Sequence, residues 1–225
     1  MKLKSYLKER IPIGLWRAAR DLRRELMIQK LHRKGRRSAR KYADAKSLKL
    51  NIGCGGNLKP GWVNIDLVKG VDLTLDMREA IPLSDGSAKM IYSEHFFEHL
   101  DYPTDAIRFL RECFRILEPH GIFSVGVPDT RWPLRDYGDN GDGGYFEATE
   151  THWWHPDWCK TKIEHINYHF RQDGEHRFAW DFETMEQALR NTGFVEIRQR
   201  AYRPEIDTET RALGTLYVDA LRPPL

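Results

Sequence analysis

Two kinds of residue in this chain are spaced as ligand binding requires: a glycine cluster directly after an apolar run, and carboxylates at the ends of later apolar runs. Leu48-Lys49-Leu50-Asn51-Ile52 reads as a short strand that runs into Gly53-Cys54-Gly55-Gly56. Glycines at that point let backbone amides approach a ligand where a Cβ would collide. Trp62–Asp66 reads as a second strand ending in an acid, and residues 71–77 as a third, with Asp76 near its end. An aspartate at a strand's carboxyl end, across the crevice from a glycine turn, is placed to accept two hydrogen bonds from a ribose diol. The segment has a second reading. The third glycine position of a dinucleotide fingerprint holds Leu58, and Asp66 follows Gly53 by 13 residues instead of about 20. Only residues 53–61 separate the two strands, which is short for a parallel crossover. A tight β-hairpin that binds nothing fits the same residues.

Indoles and imidazoles form the other concentration of chemistry. Residues 129–180 hold five of the seven tryptophans (132, 153, 154, 158, 180) and five of the nine histidines (152, 155, 165, 169, 176). Loops that leave the carboxyl ends of sheet strands line the ligand crevice. This insert is therefore placed over an acceptor, with Trp132, Trp153, Trp154 and Trp158 offering flat faces to a sugar ring or other apolar surface. A small aromatic core fits the same cluster. Asp136 to Gly144, rich in aspartate and glycine, reads as a mobile loop. His165 and His169, or His152, His155 and Cys159, have spacings that a metal could use. No acidic ligand accompanies them at a matching spacing, so no metal is expected. Cys54, Cys113 and Cys159 form no C-x-x-C pair, which excludes a disulfide framework or four-thiolate zinc site and fits a reducing, cytoplasmic compartment.

The elements that must position these groups alternate. Residues 88–93 form a fourth strand, and 103–117 a helix with Ala106, Ile107, Leu110, Phe114 and Leu117 on one face. Glu118-Pro119-His120-Gly121 stops it, and residues 122–128 form a buried strand. A helix over 183–192 closes at Gly193, and strands 194–201 and 215–221 follow. This order specifies an α/β fold: a Rossmann-like, doubly wound, mostly parallel seven-stranded sheet with an N-terminal basic helical extension and an aromatic insert after the fifth strand.

The net charge of +3 conceals an asymmetry. Residues 1–46 carry 16 Lys/Arg and 4 Asp/Glu, and residues 47–225 carry 20 and 29, so a basic appendage is joined to an acidic domain. Leu15, Ala19, Leu22 and Leu26 form a narrow apolar stripe on a helix that begins after Pro12. Residues 32–41 have almost no apolar content and read as a solvated arm. Three readings of the appendage stand: the stripe packs on the main domain, it anchors the protein peripherally on anionic lipid, or its charges bind nucleic-acid phosphates. No apolar run approaches the roughly 18 residues of a membrane span.

Together, Asn51-Ile52-Gly53-Cys54-Gly55-Gly56, Asn64-Ile65-Asp66, Asp76-Met77, Ser93-Glu94-His95 with Glu98-His99-Leu100, and Leu117-Glu118-Pro119-His120-Gly121 resemble the class I S-adenosylmethionine-dependent methyltransferases. The likeness is to the type-11 group with a short first loop. It is strong over 47–128 and moderate over 176–221; residues 1–46 and 129–175 lie outside it. The resemblance implies a methyltransferase domain over 47–225 with S-adenosylmethionine as cofactor. Gly53, Cys54 and Gly55 would approach its methionine end, Asp66 its ribose and Asp76 with Met77 its adenine. Glu94 and His95 would flank the transfer cleft. Where the acceptor is a hydroxyl, a general base helps; His95 is the first candidate and His155 the second. The expected reaction is O-methylation of a glycan or other small acceptor under the 129–180 insert. A silent cofactor-binding scaffold is the alternative. A nucleic-acid methyltransferase using the basic arm is disfavoured, because the arm lacks interleaved aromatics and the cleft domain is acidic.

Overall fold

The computed structural model describes residues 12–139, 143–152 and 155–224. Strands β1 (Leu48–Ile52), β2 (Val63–Asp66), β3 (Leu73–Thr74), β4 (Ala88–Glu94), β5 (Leu117–Pro128), β6 (Val195–Arg200) and β7 (Thr215–Leu221) form one sheet. Its order is β3-β2-β1-β4-β5-β7-β6. β1 to β5 pair in parallel, and β7 is antiparallel to both of its neighbours. The hairpin reading of residues 48–66 is therefore overturned: Leu50, Asn51 and Ile52 pair in parallel with Val63, Asn64 and Ile65. A polar lattice makes the short connection possible. The Asn51 side-chain amide donates to Asn64 Oδ1 and to the Asn57 carbonyl, both at 2.9 Å. Asn64 Oδ1 also accepts from the Lys59 amide at 2.8 Å.

The central strands are apolar on both faces, as a sheet covered on both sides requires. Leu50, Ile52, Ile65, Ile91, Phe123 and Val125 are fully buried. Helix α2 (Thr104–Ile116) buries Ala106, Phe109, Leu110, Cys113 and Ile116. That face is turned by about one position from the periodicity reading: Ile107 and Phe114 are only partly buried, while Phe109 and Cys113 are fully so. The insert contributes α3 (Arg131–Gly138), α4 (Tyr145–His152) and α5 (Lys162–Arg171). Asp136 is not in a mobile loop. It lies buried in α3, and its carboxylate accepts from the amides of Gly143 at 2.5 Å and Phe146 at 3.1 Å, holding the start of α4. Trp180 belongs to the main core, stacked on Phe97 with ring centroids 4.7 Å apart. Helix α6 (Phe182–Thr192) ends at Gly193, whose φ of 108° closes it as a left-handed cap.

The appendage departs most from expectation. Helix α1 spans Ile13–Ser38, and a 3₁₀ turn carries the chain to Tyr42, so residues 32–41 are structured. The stripe does not pack on the domain, since Leu15, Leu22 and Leu26 are 60–62% exposed. The contact is made further along the chain by Ile28, Gly35 and Ala39, which are buried. A Cβ at Gly35 would sit 2.0 Å from the Thr74 carbonyl oxygen, so only glycine lets the helix lie on β3. The expected strand 71–77 is cut to Leu73–Thr74 for the same reason. The Asp76 amide donates to His32 Nδ1 on α1 at 3.2 Å instead of joining a ladder. A free sheet edge is a template for aggregation; here a basic helix covers it.

In an isolated helix, Gly35→Ala would be stabilising by about 1 kcal/mol. Here the added methyl meets backbone, and overpacking of that kind costs about 1–3 kcal/mol. Thermal melts should therefore show Gly35→Ala lowering Tm by several degrees. An unchanged or raised Tm would mean that α1 does not rest on β3.

Candidate functional site

The carboxyl ends of β1 and β4 define the site. Gly53 has φ 67°, and a Cβ there would fall 2.2 Å from the Phe96 ring, so glycine is required by both conformation and space. Its amide and that of Cys54 donate to the Ile65 carbonyl at 2.8 and 3.3 Å, fixing the loop to β2. Gly55, with φ 51° and open space where a Cβ would stand, donates its amide to Asp66 Oδ2 at 2.8 Å. Asp66 Oδ1 accepts from the amides of Leu67 at 2.5 Å and Val68 at 3.2 Å. Three of the roughly four acceptor positions of a carboxylate are thus filled by backbone, which orients the group. Cys54 is buried, and burial followed by the nearby Asp66 charge pushes its thiol up to about 11, so it is an unreactive packing group.

Gly53, Asp66, Asp76 and Met77 line a single cavity of about 250 Å³. Its other walls include Phe96 and His99 from the turn after β4, and Arg24, Glu25 and Ile28 from α1. Asp76 is less available there than expected. Arg78 donates to it from its backbone amide and Nε, both at 3.0 Å, and from Nη2 at 2.9 Å. The same guanidinium holds Glu25 of α1 at 2.7 Å. Burial pushes the Asp76 carboxyl up, but the Arg78 hydrogen bonds outweigh it and hold it below the ordinary range. In the cavity wall the six carboxylates Glu25, Asp66, Asp76, Asp101, Asp105 and Glu175 face the guanidinium groups of Arg24, Arg78 and Arg177. An excess of negative charge, an oriented aspartate and the apolar walls of Ile28, Leu75, Met77 and Phe96 fit a cationic ligand that carries a diol and a flat ring.

A second cavity, of about 210 Å³, opens where the insert meets the sheet. It brings together His95, His155 and Trp132, three of the residues singled out from sequence, with Tyr145, His169 and Arg211. The insert builds its own aromatic core around Tyr145, which is fully buried and meets Trp132 and His169 edge-to-face at 5.3 and 5.4 Å. Burial, then the His165 charge, pushes the His155 imidazole down to about 4. Burial, then Arg211, pushes His95 down to about 3. Both rings are therefore neutral at pH 7 and are weaker bases than general-base catalysis at that pH prefers. Trp158 stands apart, 51% exposed, against Tyr168 at 5.8 Å in a shallow groove of its own. Trp153 and Trp154 lie outside the described residues.

Glu94 does not reach either cavity. Its oxygens accept from Thr208 Oγ1 at 2.5 Å, from the Thr208 amide at 3.1 Å and from Tyr217 OH at 3.1 Å. Arg211 lies 3.6 Å away. The carboxylate at the end of β4 is spent on holding the 208–217 segment, whose Arg211 forms part of the second cavity's wall. Sequence reasoning assigned no site role to Arg78, Phe96, Glu98, His99, His176 or Arg211. Phe96, Glu98 and His99 carried a signal, since they sit in the same short run as Glu94 and His95, and His176 is one of the insert's clustered histidines; Arg78 and Arg211 carried none.

Residues 50–125 match the model of a methyltransferase-domain family. A Mycolicibacterium smegmatis protein described as a probable S-adenosylmethionine-dependent methyltransferase is 37% identical over 68 residues, which cover 29% of this chain. The matched segment spans 25% of that relative's length. Among solved structures, an S-adenosylmethionine-dependent methyltransferase from Mesorhizobium loti is similar at a TM-score of 0.49 and 16% identity, covering 79% of this chain and 92% of that one. A methyltransferase from Methanosarcina mazei is similar at 0.48 and 15%, covering 83% and 97%. Residues 50–125 therefore carry a methyltransferase domain similar to S-adenosylmethionine-dependent enzymes, and Gly53 and the strand-end Asp66 line the first cavity.

Asp66→Ala removes an acceptor whose charged hydrogen bonds to a hydroxyl are worth about 1.5–3 kcal/mol. Calorimetry with S-adenosylhomocysteine should show affinity falling at least tenfold while the variant stays folded. Unchanged affinity would remove Asp66 from the site.

Proposed function

We propose that this protein transfers a methyl group from S-adenosylmethionine to an oxygen of a small acceptor, a terminal sugar residue of a glycan, seated in the second cavity. The observation that carries the reading is the pairing of two cavities across one turn. Residues 95–99 follow β4; Phe96 and His99 face the first cavity, and His95 faces the second. The cofactor would supply a methyl group on a positively charged sulfur, held between the glycine loop and Met77. What the protein must add is alignment of the acceptor to about 3–3.5 Å and exclusion of water.

The second cavity suits that task. Its volume of about 210 Å³ lies below the 300–1,000 Å³ of drug-sized sites, so it selects a single ring. Trp132 and Tyr168 offer aromatic faces, and neutral imidazoles with Arg211 offer polar atoms in several directions, which suits a ring bearing hydroxyls. Trp132 is held in place by its own donor: the indole Nε1 gives its proton to the Gly143 carbonyl at 2.7 Å. Turnover of radiolabelled cofactor against a panel of saccharides and phenols tests the acceptor class. Trp132→Ala should lower kcat/KM about tenfold, the 1.4 kcal/mol scale of one aromatic contact, with cofactor affinity unchanged. Transfer to nitrogen acceptors only, or a Trp132→Ala enzyme of full efficiency, would overturn the saccharide reading.

A second reading concerns location. The free half of α1 exposes Leu15, Leu22 and Leu26, flanked by Arg17, Arg20 and Arg23. We propose that this half rests on an anionic lipid surface, where each basic residue contributes about 1 kcal/mol. Among the described residues no helix is long and apolar enough to cross a membrane. Vesicles containing anionic lipid should retain the full chain but not a Leu15→Ser/Leu22→Ser/Leu26→Ser variant, and neutral vesicles should retain neither. Equal retention of both proteins on anionic vesicles would end the anchor reading.

A further inference from the structure

Glu98 is the most anomalous polar group of the described chain. It sits in the 3₁₀ turn Phe97–His99 between β4 and α2, is 2% exposed, and among the described residues neither carboxylate oxygen accepts a hydrogen bond. Three imidazoles surround its Oε1: His95 Nδ1 at 3.8 Å, His176 Nε2 at 3.9 Å and His99 Nε2 at 4.0 Å. These separations are too long for hydrogen bonds and too short to leave the groups independent.

The other nitrogen of each ring shows which way the protons lie. His99 Nδ1 meets the Glu175 carbonyl at 3.0 Å, and His176 Nδ1 meets the His169 carbonyl at 2.9 Å. A carbonyl oxygen only accepts, so both rings carry their proton on Nδ1 and turn a bare Nε2 lone pair toward Glu98. His95 Nε2 lies 2.8 Å from Thr215 Oγ1. That hydroxyl donates to the Arg211 carbonyl at 2.6 Å, so it accepts from His95, whose Nδ1 is likewise bare toward Glu98. Three nitrogen lone pairs and a carboxylate therefore converge with no donor among them. One proton shared among them would satisfy at most one of these contacts.

We propose that Glu98, His99 and His176 bind a divalent transition-metal ion, zinc foremost, with its open coordination position on the side of the second cavity beside His95. The ligand atoms of these three residues lie within 4.8 Å of one another. Zinc bonds of about 2.0–2.2 Å set tetrahedral ligands about 3.4 Å apart, so the side chains need move inward by only about half an ångström. Two imidazoles and one carboxylate, with a position left open, form a donor set typical of reactive zinc and iron(II) centres. Magnesium and calcium prefer all-oxygen shells. The backbone carbonyls on His99 and His176 are the partners that orient metal-binding histidines and fix their tautomer.

A second histidine cluster shows the contrast. His155, Cys159 and His165 also converge, but there His155 Nδ1 and His165 Nδ1 hydrogen-bond to each other at 2.9 Å. The Cys159 thiol donates to the Glu164 carbonyl at 3.8 Å. That cluster pairs its own groups, whereas at Glu98 lone pairs meet with no donor among the described residues. Its place also matters. His99 lines the first cavity, and His95 and His176 line the second, so the ion would stand on the partition between them. Where the methyl-transfer reading holds, an acceptor oxygen bound at the open position would lose its proton more readily.

The test is zinc binding by the full-length protein after chelator stripping, read by competition with a chromophoric chelator. One equivalent should bind saturably, and magnesium should not compete. Glu98→Gln and His176→Ala should each weaken binding at least tenfold, and His165→Ala should leave it intact. Glu98→Gln is nearly isosteric and removes a buried charge; its melting curve and its affinity for S-adenosylhomocysteine show that the fold and the first cavity are preserved. Absence of stoichiometric zinc, binding that survives both substitutions, or binding lost only in His165→Ala would overturn the site. None of these outcomes depends on whether the protein methylates anything.

Discussion

The contact between Gly53 and Phe96 governs the site. Because Gly53 has no Cβ, the Phe96 ring can press against the end of β1, where it also meets Phe109 of α2 edge-to-face at 5.6 Å. Phe97 is anchored just as firmly, stacked on Trp180. With both rings packed in this way, the turn after β4 places Glu98 in the interior, His99 at the first cavity and His95, at φ 52°, at the second. The two cavities are the spaces left on either side of this wedge. The two cavities and the buried carboxylate between them thus follow from one close approach of side chain to backbone.

Electrostatics follow the same division. The first cavity concentrates carboxylates beside an oriented Asp66, while Arg78, shared by Asp76 and Glu25, neutralises the part nearest α1. The second is lined by imidazoles that burial keeps neutral beside the guanidinium of Arg211, so its hydrogen-bonding groups stand next to a single cation. A buried ion network secures the back of the sheet. Arg200 lies between Asp207 at 2.6 Å and Asp219 at 2.9 Å and also meets Ser124 of β5, which ties β5, β6 and β7 to the segment that carries Arg211. The basic appendage, separate in charge, is joined in structure, for α1 covers the edge strand and supplies part of the first cavity's wall.

Much of the fold was legible because it is written in periodic apolar runs. Strands β1, β4 and β7 and helices α2 and α6 fall within a residue or two of where the pattern places them, and Gly193 marks its helix end as expected. The misses have a common cause. Residues 32–39 bury a glycine and an alanine, and small residues leave no trace in an apolar pattern, so the seating of α1 on β3 was invisible. That Gly53, Asp66 and Met77 line one cavity agrees with their sequence positions, because each lies at or just after a strand end. Glu94 was misassigned because its partners, Thr208 and Tyr217, lie more than 110 residues away. Glu98 draws His176 from a different element, and that meeting depends on how the insert folds back over the turn at 95–99.

In the proposed reaction, the spaces on the two sides of the 95–99 turn hold the cofactor and the acceptor. A crystal structure of the complex with S-adenosylhomocysteine tests it most directly. The adenosine should lie between Asp66 and Met77, with the sulfur at the Gly53 end, facing the partition and the cavity lined by Trp132 and His155. A ligand lodged in the second cavity, or one whose sulfur points away from the 95–99 turn, would contradict it.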